Sequence, residues 1–442
     1  MNERVLSFII KSKRLISFVS MKRMMLSIVF SLMLSLVYAD ANTVFCGLPD
    51  SIAEQYGELY VCQQGRVCHL RNLCDARHRQ AELSELFIDG RNLKLFPYAT
   101  ADSVVWYASG EPLPAKMKDD EVLFVTKVQR YMLELAEQND YEALSEVIAQ
   151  VRNYQLKNGS NTIPATFVDS LDDYYSSRCN QYILWVVIWL GFLPMSHYFR
   201  KRYHDEYDLI TRSGLRKLCL LYSFVALCYY TFLIVTRWIV GGHVPLTSGH
   251  EVMLFLTWCI LLTGLVDRNR HSSVLPTSIL ASLIIGLGVG TTDATITGLS
   301  TALDSPWLGF HVAVTIASYS FFIMMAINGI RGLFLLCKGR AKLLYVEKLR
   351  SISRNWLIPG TICLAAGIVM GGFWAQSAWG SFWSWDPKET WALLTLVVYG
   401  LGYLPWLRSA KVFHIFSVVA ILFVLFTYFG VNYLLGGLHG YV

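Results

Sequence analysis

Residues 371–391 read GGFWAQSAWGSFWSWDPKETW, and they hold five tryptophans. These are Trp374, Trp379, Trp383, Trp385 and Trp391. Each indole needs an apolar contact for its ring and an acceptor for its N–H, so a soluble protein rarely places this many in one segment. Long apolar runs flank the stretch on both sides. These features predict a loop that lies at a membrane surface or forms a flat aromatic platform for a large planar ligand.

The composition indicates a membrane protein. Of the 442 residues, 54% are hydrophobic and 16% are charged, and the mean hydropathy is +0.41. Apolar runs long enough to cross a bilayer recur from Tyr182 onward. We therefore predict an all-α polytopic membrane protein of about eight transmembrane helices, preceded by an exported domain of mixed α/β structure. The predicted spans are 182–199, 218–239, 251–266, 275–292, 309–336, 355–374, 391–407 and 412–434.

Residues 1–41 have the pattern of an export signal. Basic residues up to Arg23 precede the apolar run Met24–Tyr38, and the small residues of Ala39-Asp40-Ala41 follow. This order is typical of a secretory signal with its cleavage site. We predict a signal peptide or an uncleaved N-terminal anchor, and export of the segment that follows.

Residues 42–181 are assigned to the exported domain and residues 182–442 to the membrane domain. Apolar residues at helical spacing in Val122–Leu156 predict an amphipathic helical stretch, and alternation about a glycine in Gly57–Leu73 predicts a β-hairpin. No CxxCH motif occurs, so the chain is not itself a c-type cytochrome. Disulfides form readily in exported domains, and the pairing among the cysteines of this segment is left open. They are Cys46, Cys62, Cys68, Cys74 and Cys179.

The distribution of basic residues predicts the orientation in the membrane. If residues 42–181 lie outside, the predicted inner loops carry sixteen lysines and arginines, and the outer side carries Lys388 with Arg237 at its boundary. Cytoplasmic loops are enriched in lysine and arginine, so the tryptophan segment and the C-terminus are expected on the outer side. The inner residues are Arg200, Lys201, Arg202, Arg212, Arg216, Lys217, Arg268, Arg270, Lys338, Arg340, Lys342, Lys348, Arg350, Arg354, Arg408 and Lys411. This distribution in short loops argues against nucleic acid as a partner.

Two histidines are candidate metal ligands. His311 lies at the outer mouth of the fifth predicted span, and His439 lies just beyond the eighth. A lone histidine at a helix end is most often a solvated interfacial residue. Because both are expected on the outer side, two neutral imidazoles could approach one haem iron from opposite faces. The porphyrin would then rest on the indoles, with Lys388 or Arg237 at its rim.

Structural explanations exist for parts of the tryptophan segment. In Asp386-Pro387-Lys388-Glu389, an N-cap acid, a proline at the first helical position and a glutamate three residues after the cap predict a helix start. A role for Asp386 in orienting a bound ligand would be additional to its role as the N-cap. An aromatic belt at the headgroup level explains two or three tryptophans, but it does not require five in one segment.

Several segments resemble the tryptophan-rich WWD-domain haem-handling proteins, and most closely the CcsA (ResC) type of System II cytochrome c biogenesis. The segments are VPLTSGHEVMLFLTW, GFHVAVTIASYSFF, AWGSFWSWDPKETWALLT and VLFTYFGVNYLLGGLHGYV. The resemblance covers residues from about 220 to the end, and it is weaker over 42–181.

The resemblance implies that the chain binds haem b and presents it on the outer face of a bacterial cytoplasmic membrane, where CxxCH thiols of apocytochrome c add to it. It implies His311 and His439 as iron ligands. It also implies three further partners, namely a ResB (CcsB)-type membrane protein, a thioredoxin-like thiol reductant and the membrane lipids. The chain shows no catalytic nucleophile of its own, which leaves open whether it is a component of a haem–cytochrome c ligase (holocytochrome c synthase). The implied haem-binding residues of the segment are Trp374, Trp379, Trp383, Trp385 and Asp386.

The chain departs from the family at the inner end of the helix after the tryptophan segment. Related chains carry a histidine there, whereas this chain has Pro405 and Trp406. We hypothesise that His197 or His414, both near inner helix ends, replaces it as an iron ligand.

The alternative function is a membrane cytochrome that uses a bis-histidine haem for electron transfer. Such proteins usually pair histidines on facing helices within the membrane, whereas His311 and His439 are expected at its outer edge. A small-solute transporter would show internal repeats, and the sequence shows no clear one.

Overall fold

The structure is a computed structural model that describes residues 48–75, 78–100, 103–204, 209–269, 273–296, 298–299, 305–337 and 343–435. Over these residues the chain is mostly helical, which confirms the predicted all-α polytopic class. The predicted signal segment 1–41 lies outside the described residues.

The described chain divides into two compact units. One comprises the residues up to Val61 together with His69–Asn161, and the other comprises Cys62–Cys68 together with the residues from Thr162 onward. The N-terminal elements are α1 (Asp50–Gly57), β1 (Tyr60–Gln63), β2 (Arg66–His69), α2 (Arg79–Ile88), β3 (Lys94–Ala99), β4 (Val104–Ala108), α3 (Asp119–Glu137) and α4 (Tyr141–Asn158).

The predicted β-hairpin is confirmed as β1 and β2. Its two-residue turn is Gln64-Gly65, and both residues have positive φ, 50° and 82°. This left-handed pair is the turn whose twist matches the twist of the flanking strands. A second antiparallel hairpin, which the sequence analysis did not predict, pairs β3 with β4.

The predicted helical stretch Val122–Leu156 is divided into α3 and α4. The break lies at Asn139, whose φ is 57°. Asp140 then caps α4, because its Oδ1 accepts the N–H of Ala143 at 3.1 Å. The amphipathic pattern itself is confirmed in α3 by the buried side chains. These are Val125, Val128, Gln129, Met132 and Leu135.

The second unit contains the membrane helices. Seven helices among the described residues are long and apolar enough to cross a membrane, and the protein is a membrane protein. The helices of this unit are α5 (Thr166–Tyr175), α6 (Arg178–His204), α7 (Leu209–Gly241), α8 (Gly249–Val266), α9 (Val274–Thr291), α10 (Pro306–Cys337), α11 (Leu343–Trp379), α12 (Pro387–Gly400) and α13 (Ala410–Leu425). All of them except α5 and α12 provide a candidate span.

The predicted span 391–407 differs most from the structure. Its helix, α12, has 14 residues, and about 20 residues are needed to cross the hydrocarbon core. The 3₁₀ segments Leu401–Tyr403 and Pro405–Arg408 continue the chain. The α-helix stops because Gly402 disfavours helix and Pro405 lacks the N–H that a helix interior needs.

A π-helix, Phe426–Leu435, follows α13 directly. Hydrogen bonds from residue i to i+5 widen such a helix, and the sequence analysis did not predict it. Trp391 of α12 packs on this segment, with 4.1 Å between its ring centroid and that of Phe426. The hydroxyls of Thr395 and Thr427 lie 3.0 Å apart and join the same two elements.

Arg237 of α7 and Glu251 of α8 form a buried ion pair. Their atoms Nε and Oε1 lie 3.0 Å apart, and the side chains are 1% and 2% exposed. Arg237 also donates to the hydroxyl of Tyr175 at 3.0 Å and to the carbonyls of Ala294 and Thr295 at 2.7 and 3.1 Å. The expectation that Arg237 lies at the rim of a ligand is therefore wrong, because its donors are used inside the bundle.

His250 extends this buried network. Its Nε2 lies 3.1 Å from the hydroxyl of Tyr175, and its Nδ1 lies 2.9 Å from Oγ1 of Thr292. Ser248 and Glu251 form a capping box at the start of α8. The polar residues of the segment VPLTSGHEVMLFLTW thus join α5, α7, α8 and the chain after α9.

Replacing Arg237 with glutamine should lower the free energy of unfolding by about 3–5 kcal/mol, because the Glu251 carboxylate stays buried without its counter-charge. Chemical unfolding in detergent, followed by tryptophan fluorescence, measures the change. The exposed Arg268 is the matched control, and Arg268→Gln should change the value by less than about 0.5 kcal/mol. Equal effects in the two variants would contradict a stabilising ion pair.

Candidate functional site

The sequence analysis predicted that the tryptophan segment forms one loop, and this prediction is wrong. Helix α11 runs through Trp379, a loop covers 380–386, and α12 begins at Pro387. Trp374 and Trp379 lie in the last turns of α11, Trp383 and Trp385 lie in the loop, and Trp391 lies in α12. The segment is therefore a helix end, a short loop and a helix start.

The indoles of this segment differ in their exposure. Trp374 is 1% exposed, whereas Trp379 and Trp385 are 40% and 70% exposed. Trp374 and Trp379 pack edge to face with centroids 6.1 Å apart, and Trp383 packs on Trp385 in the same way at 5.8 Å. One buried indole thus supports the helix end, while the exposed ones offer aromatic surface to a ligand or to the membrane interface.

Trp385 has a φ of 57°, which is uncommon for a bulky residue. Such a conformation persists where the surrounding structure holds it, often at a ligand site. The backbone N–H of Ser384 donates to Oε2 of Glu389 at 2.9 Å, and Oγ1 of Thr390 donates to the carbonyl of Trp385 at 3.3 Å. The first turn of α12 therefore holds the loop around Trp385.

The predicted helix start at Asp386 is confirmed. Its Oδ2 accepts the N–H of Lys388 at 3.0 Å, and Oε2 of Glu389 accepts the N–H of Asp386 at 3.3 Å. Asp386 is buried, so capping accounts for the acid. Burial lowers the pKa of Lys388, and the charge of Asp386 opposes this shift. Lys388 is thus a partly desolvated cation directly after the loop.

A hydrogen bond holds His311 against α11. Its Nδ1 lies 2.6 Å from the carbonyl oxygen of Gly367. A carbonyl can only accept, so Nδ1 carries the proton and Nε2 carries the ring lone pair. Metal-ligating histidines typically donate their other ring N–H to a carbonyl or carboxylate in this way. The contact therefore selects the tautomer that binds a metal through Nε2.

Two glycines of α11 allow this close approach. A Cβ atom on Gly371 would lie 2.8 Å from Cε1 of His311, and one on Gly367 would lie 2.4 Å from Oγ1 of Thr315. Small residues four positions apart are a known signal of close helix packing in membranes, so the sequence could have pointed to this pair. Trp374, three residues after Gly371, lies on the same face of α11.

Further aromatic residues extend this surface, and the sequence analysis missed them. Trp307 in the first turn of α10 packs on Phe373, with centroids 5.4 Å apart, and Phe373 packs on Phe382 at the same distance. All three are exposed. The ring of Phe382 lies over Gly372, where a Cβ atom would come within 2.4 Å of it. An aromatic surface therefore runs from the loop across α11 to α10.

Of the other predicted ligands, the structure describes the side chain of His414 alone. His439 lies outside the described residues, and the side chain of His197, in α6, lies outside what the structure describes. His414 is fully buried, and its Nε2 donates to the carbonyl of Val346 at 3.1 Å. Its Nδ1 has no hydrogen-bond partner among the described residues, and its ring packs on Gly332. Because the side chain is fully buried, an iron could reach this nitrogen only if the surrounding helices moved.

Comparison with known proteins identifies the family. The sequence model of the family described as "Cytochrome C assembly protein" matches residues 247–439, which contain His311, the tryptophan segment and His439. The cytochrome c biogenesis protein CcsA of Trachelium caeruleum is 32% identical over 262 residues, which cover 49% of this chain and 82% of that protein. The chain belongs to the cytochrome c assembly protein family.

Matches to two other relatives cover different shares of this cytochrome c assembly protein. CcsA of Chlamydomonas reinhardtii is 36% identical over 227 residues, 47% of this chain and 64% of that protein. Protein NrfI of Wolinella succinogenes is 29% identical over 372 residues, 80% of this chain and 40% of NrfI. The chain thus spans less than two thirds of these two relatives. A match over 80% of the chain also includes residues before 220, so the likeness extends further than the sequence analysis expected.

Replacing Asp386 with alanine should lower the free energy of unfolding by about 1 kcal/mol, because α12 loses its N-cap. Asparagine caps about as well as aspartate, so Asp386→Asn should change stability little. Unfolding in detergent measures both variants. If Asp386→Asn were as destabilising as Asp386→Ala, the negative charge rather than the acceptor oxygen would hold the helix start.

Proposed function

We propose that this protein binds haem b on the outer side of the cytoplasmic membrane and presents it to apocytochrome c for covalent attachment at CxxCH motifs. The observation that carries the proposal is the position of His311. In its tautomer Nε2 is the nitrogen that would coordinate a metal, and the ring contacts the face of α11 that leads to Trp374. Membership of the cytochrome c assembly family supports haem as the substrate and cytochrome c maturation as the process.

The tryptophan segment fits a porphyrin in three respects. The exposed rings of Trp379 and Trp385 provide apolar aromatic surface for the macrocycle. The indole Nε1–H of Trp383 is buried and has no acceptor among the described residues, so a propionate oxygen would satisfy it. Lys388 adds a partly desolvated positive charge at the same loop, which favours an anionic group.

His439 is proposed as the second axial ligand, on the basis of the family resemblance of GGLHGYV. Two neutral imidazoles on opposite faces of the iron would give a six-coordinate haem and leave the vinyl groups at the ring edge for the incoming thiols. In this arrangement the protein acts by holding and orienting its substrate. We keep His197 and His414 as candidates for a separate inner ligand.

The outer location rests on the asymmetry of lysine and arginine in the loops. The proposed partners are a ResB-type membrane protein, a thioredoxin-like reductant that keeps the apocytochrome thiols reduced, and apocytochrome c itself.

Transfer of haem is favoured over permanent electron transfer by the exposure of the aromatic surface. A redox subunit gains from enclosing its haem, whereas a protein that hands haem to a partner must leave one side accessible. Trp385, the most exposed of the tryptophans in the segment, lies in the loop directly before the N-cap of α12.

Replacing His311 with alanine should lower the haem content of the purified protein about tenfold, because the iron loses the ligand that Gly367 orients. The pyridine haemochrome assay measures haem per protein, and added imidazole should restore part of it. His243→Ala is the control, since this histidine lies in the chain after α7 and should not bind iron. Full haem content in both His311→Ala and His439→Ala would contradict the proposal and favour a permanent redox haem.

Replacing Gly371 with alanine should reduce haem content several-fold and shift the haem absorption bands, because the added Cβ would lie 2.8 Å from the His311 ring. Gly288→Ala is the matched control. It is also a helical glycine, but a Cβ there meets nothing within 4 Å. Absorption spectra of the oxidised and reduced proteins show both effects. An unchanged spectrum in a folded Gly371→Ala protein would exclude His311 as the ligand in this geometry.

A further inference from the structure

Three exposed aromatic side chains form a row at the end of α10 and α11 that carries His311. Trp307 of α10 packs on Phe373 of α11 with ring centroids 5.4 Å apart, and Phe373 packs on Phe382 of the loop at the same distance. The three side chains are 47%, 49% and 42% exposed. Trp307, Phe373 and Phe382 are called the aromatic row below.

The aromatic row leads to His311 along both helices. Trp307 and His311 are four residues apart on α10, so they lie one turn from each other on the same face of the helix. On α11, Phe373 lies two residues after Gly371, and the His311 ring packs against that glycine. A planar molecule that leaves the aromatic row at Trp307 therefore meets the proposed iron ligand next.

The interior of the bundle between His311 and the opposite helix ends is filled, in the part of the chain that the structure describes. Phe322, further along α10, stacks on Tyr399 of α12 with centroids 3.5 Å apart, and both side chains are fully buried. Phe413 and His414, at the opposite end of the bundle, are also fully buried. A porphyrin that came through the interior would have to displace these side chains.

The aromatic row lies at the depth where haem dissolves in a membrane. Haem has an apolar macrocycle with ionised propionates at one edge, and amphipathic rings of this kind lie at the boundary between headgroups and acyl chains. Trp307 is in the first turn of α10, and Phe373 is within the last two turns of α11. Aromatic rings also attract one another in offset and edge-to-face contacts, beyond the effect of buried area.

We propose that the aromatic row takes up haem from the lipid leaflet that contains the tryptophan segment and passes it laterally to His311. This inference rests on the proposed function, since it requires His311 as a haem ligand. The lateral route needs no inner histidine, and the chain has Pro405 and Trp406 where related chains carry one. An aromatic belt explains exposed rings individually, but it does not require three rings in mutual contact that end one turn from His311.

A route differs from a binding site in its effect on kinetics. Haem enters and leaves by the same route, so the loss of one ring from it slows uptake and release by the same factor. The amount of haem bound at equilibrium then stays unchanged. The loss of a ring from the binding site itself lowers that amount.

Kinetics of the full-length protein in lipid nanodiscs test the route. Stopped-flow absorption follows the binding of added haem, and transfer of bound haem to apomyoglobin follows its release. Trp307→Ala should slow both processes about fivefold, because one stacking partner is lost, and should leave haem content unchanged. Trp238→Ala is the matched control and should change neither rate. Trp238 is also an exposed tryptophan, at 54%, near the end of a membrane helix.

Three results would overturn the lateral route. Wild-type rates in Trp307→Ala would leave the aromatic row as a contact for lipid chains. Equal slowing in Trp238→Ala would show a general effect of interfacial aromatic residues. Slower uptake with unchanged release and a lower haem content would make Trp307 part of the binding site. If Trp307→Ala does not fold, as judged by size-exclusion chromatography, Trp307→Leu replaces it, because leucine keeps an apolar side chain and removes the ring.

Failure of the proposed function would give a different result. A wild-type protein that takes up no haem, or whose haem is unaffected by His311→Ala, contradicts haem binding at His311 and removes the lateral route with it. A wild-type protein that binds haem through His311, at rates that Trp307→Ala leaves unchanged, contradicts the lateral route alone.

Discussion

The hydrogen bond between Nδ1 of His311 and the carbonyl of Gly367 is the contact on which the candidate site depends. It requires that α10 and α11 approach more closely than ordinary side chains permit, and glycines at 367 and 371 meet that requirement. The same bond selects the ring tautomer. Helix packing and ligand chemistry are therefore set by one contact, and a change in either helix affects both.

The tryptophans divide into supporting and presenting residues. Trp374 is buried at the end of α11, and half-buried Trp391 packs on the π-helix after α13, so both support the bundle. Trp379 is exposed at the end of α11, and Trp385 is exposed in the short loop that the first turn of α12 holds. An aromatic belt explains the exposure of these rings but not the left-handed backbone of Trp385.

Features governed by local rules could be predicted from the sequence. The hairpin at Gln64-Gly65 and the helix start at Asp386 each depend on residues within a few positions of one another, and both are present. Most of the predicted spans are present as helices, because a long apolar run is unfavourable in water and is stable as a helix that crosses the membrane. Coarse topology and helix caps are therefore recoverable without coordinates.

Features that depend on distant contacts could not be predicted in this way. Arg237 reads as an interfacial cation until its partners in α5, α8 and the chain after α9 are known. The predicted span 355–374 ends before the helix does, since α11 continues to Trp379, and His311 and Phe382 fill the space beside Gly371 and Gly372. The π-helix likewise packs against Trp391 and Thr395 of α12, and these contacts are not visible in the sequence.

The π-helix Phe426–Leu435 changes how the end of the domain should be drawn. Each of its residues turns the chain by less than the α-helical 100°, since each hydrogen bond spans one more residue. A helical wheel continued from α13 therefore assigns progressively wrong directions to side chains beyond Phe426. A sequence alignment with a one-residue gap in this stretch would therefore assign the wrong direction to every side chain after the gap. The alignment register in the π-helix has to be correct before residues beyond it are compared.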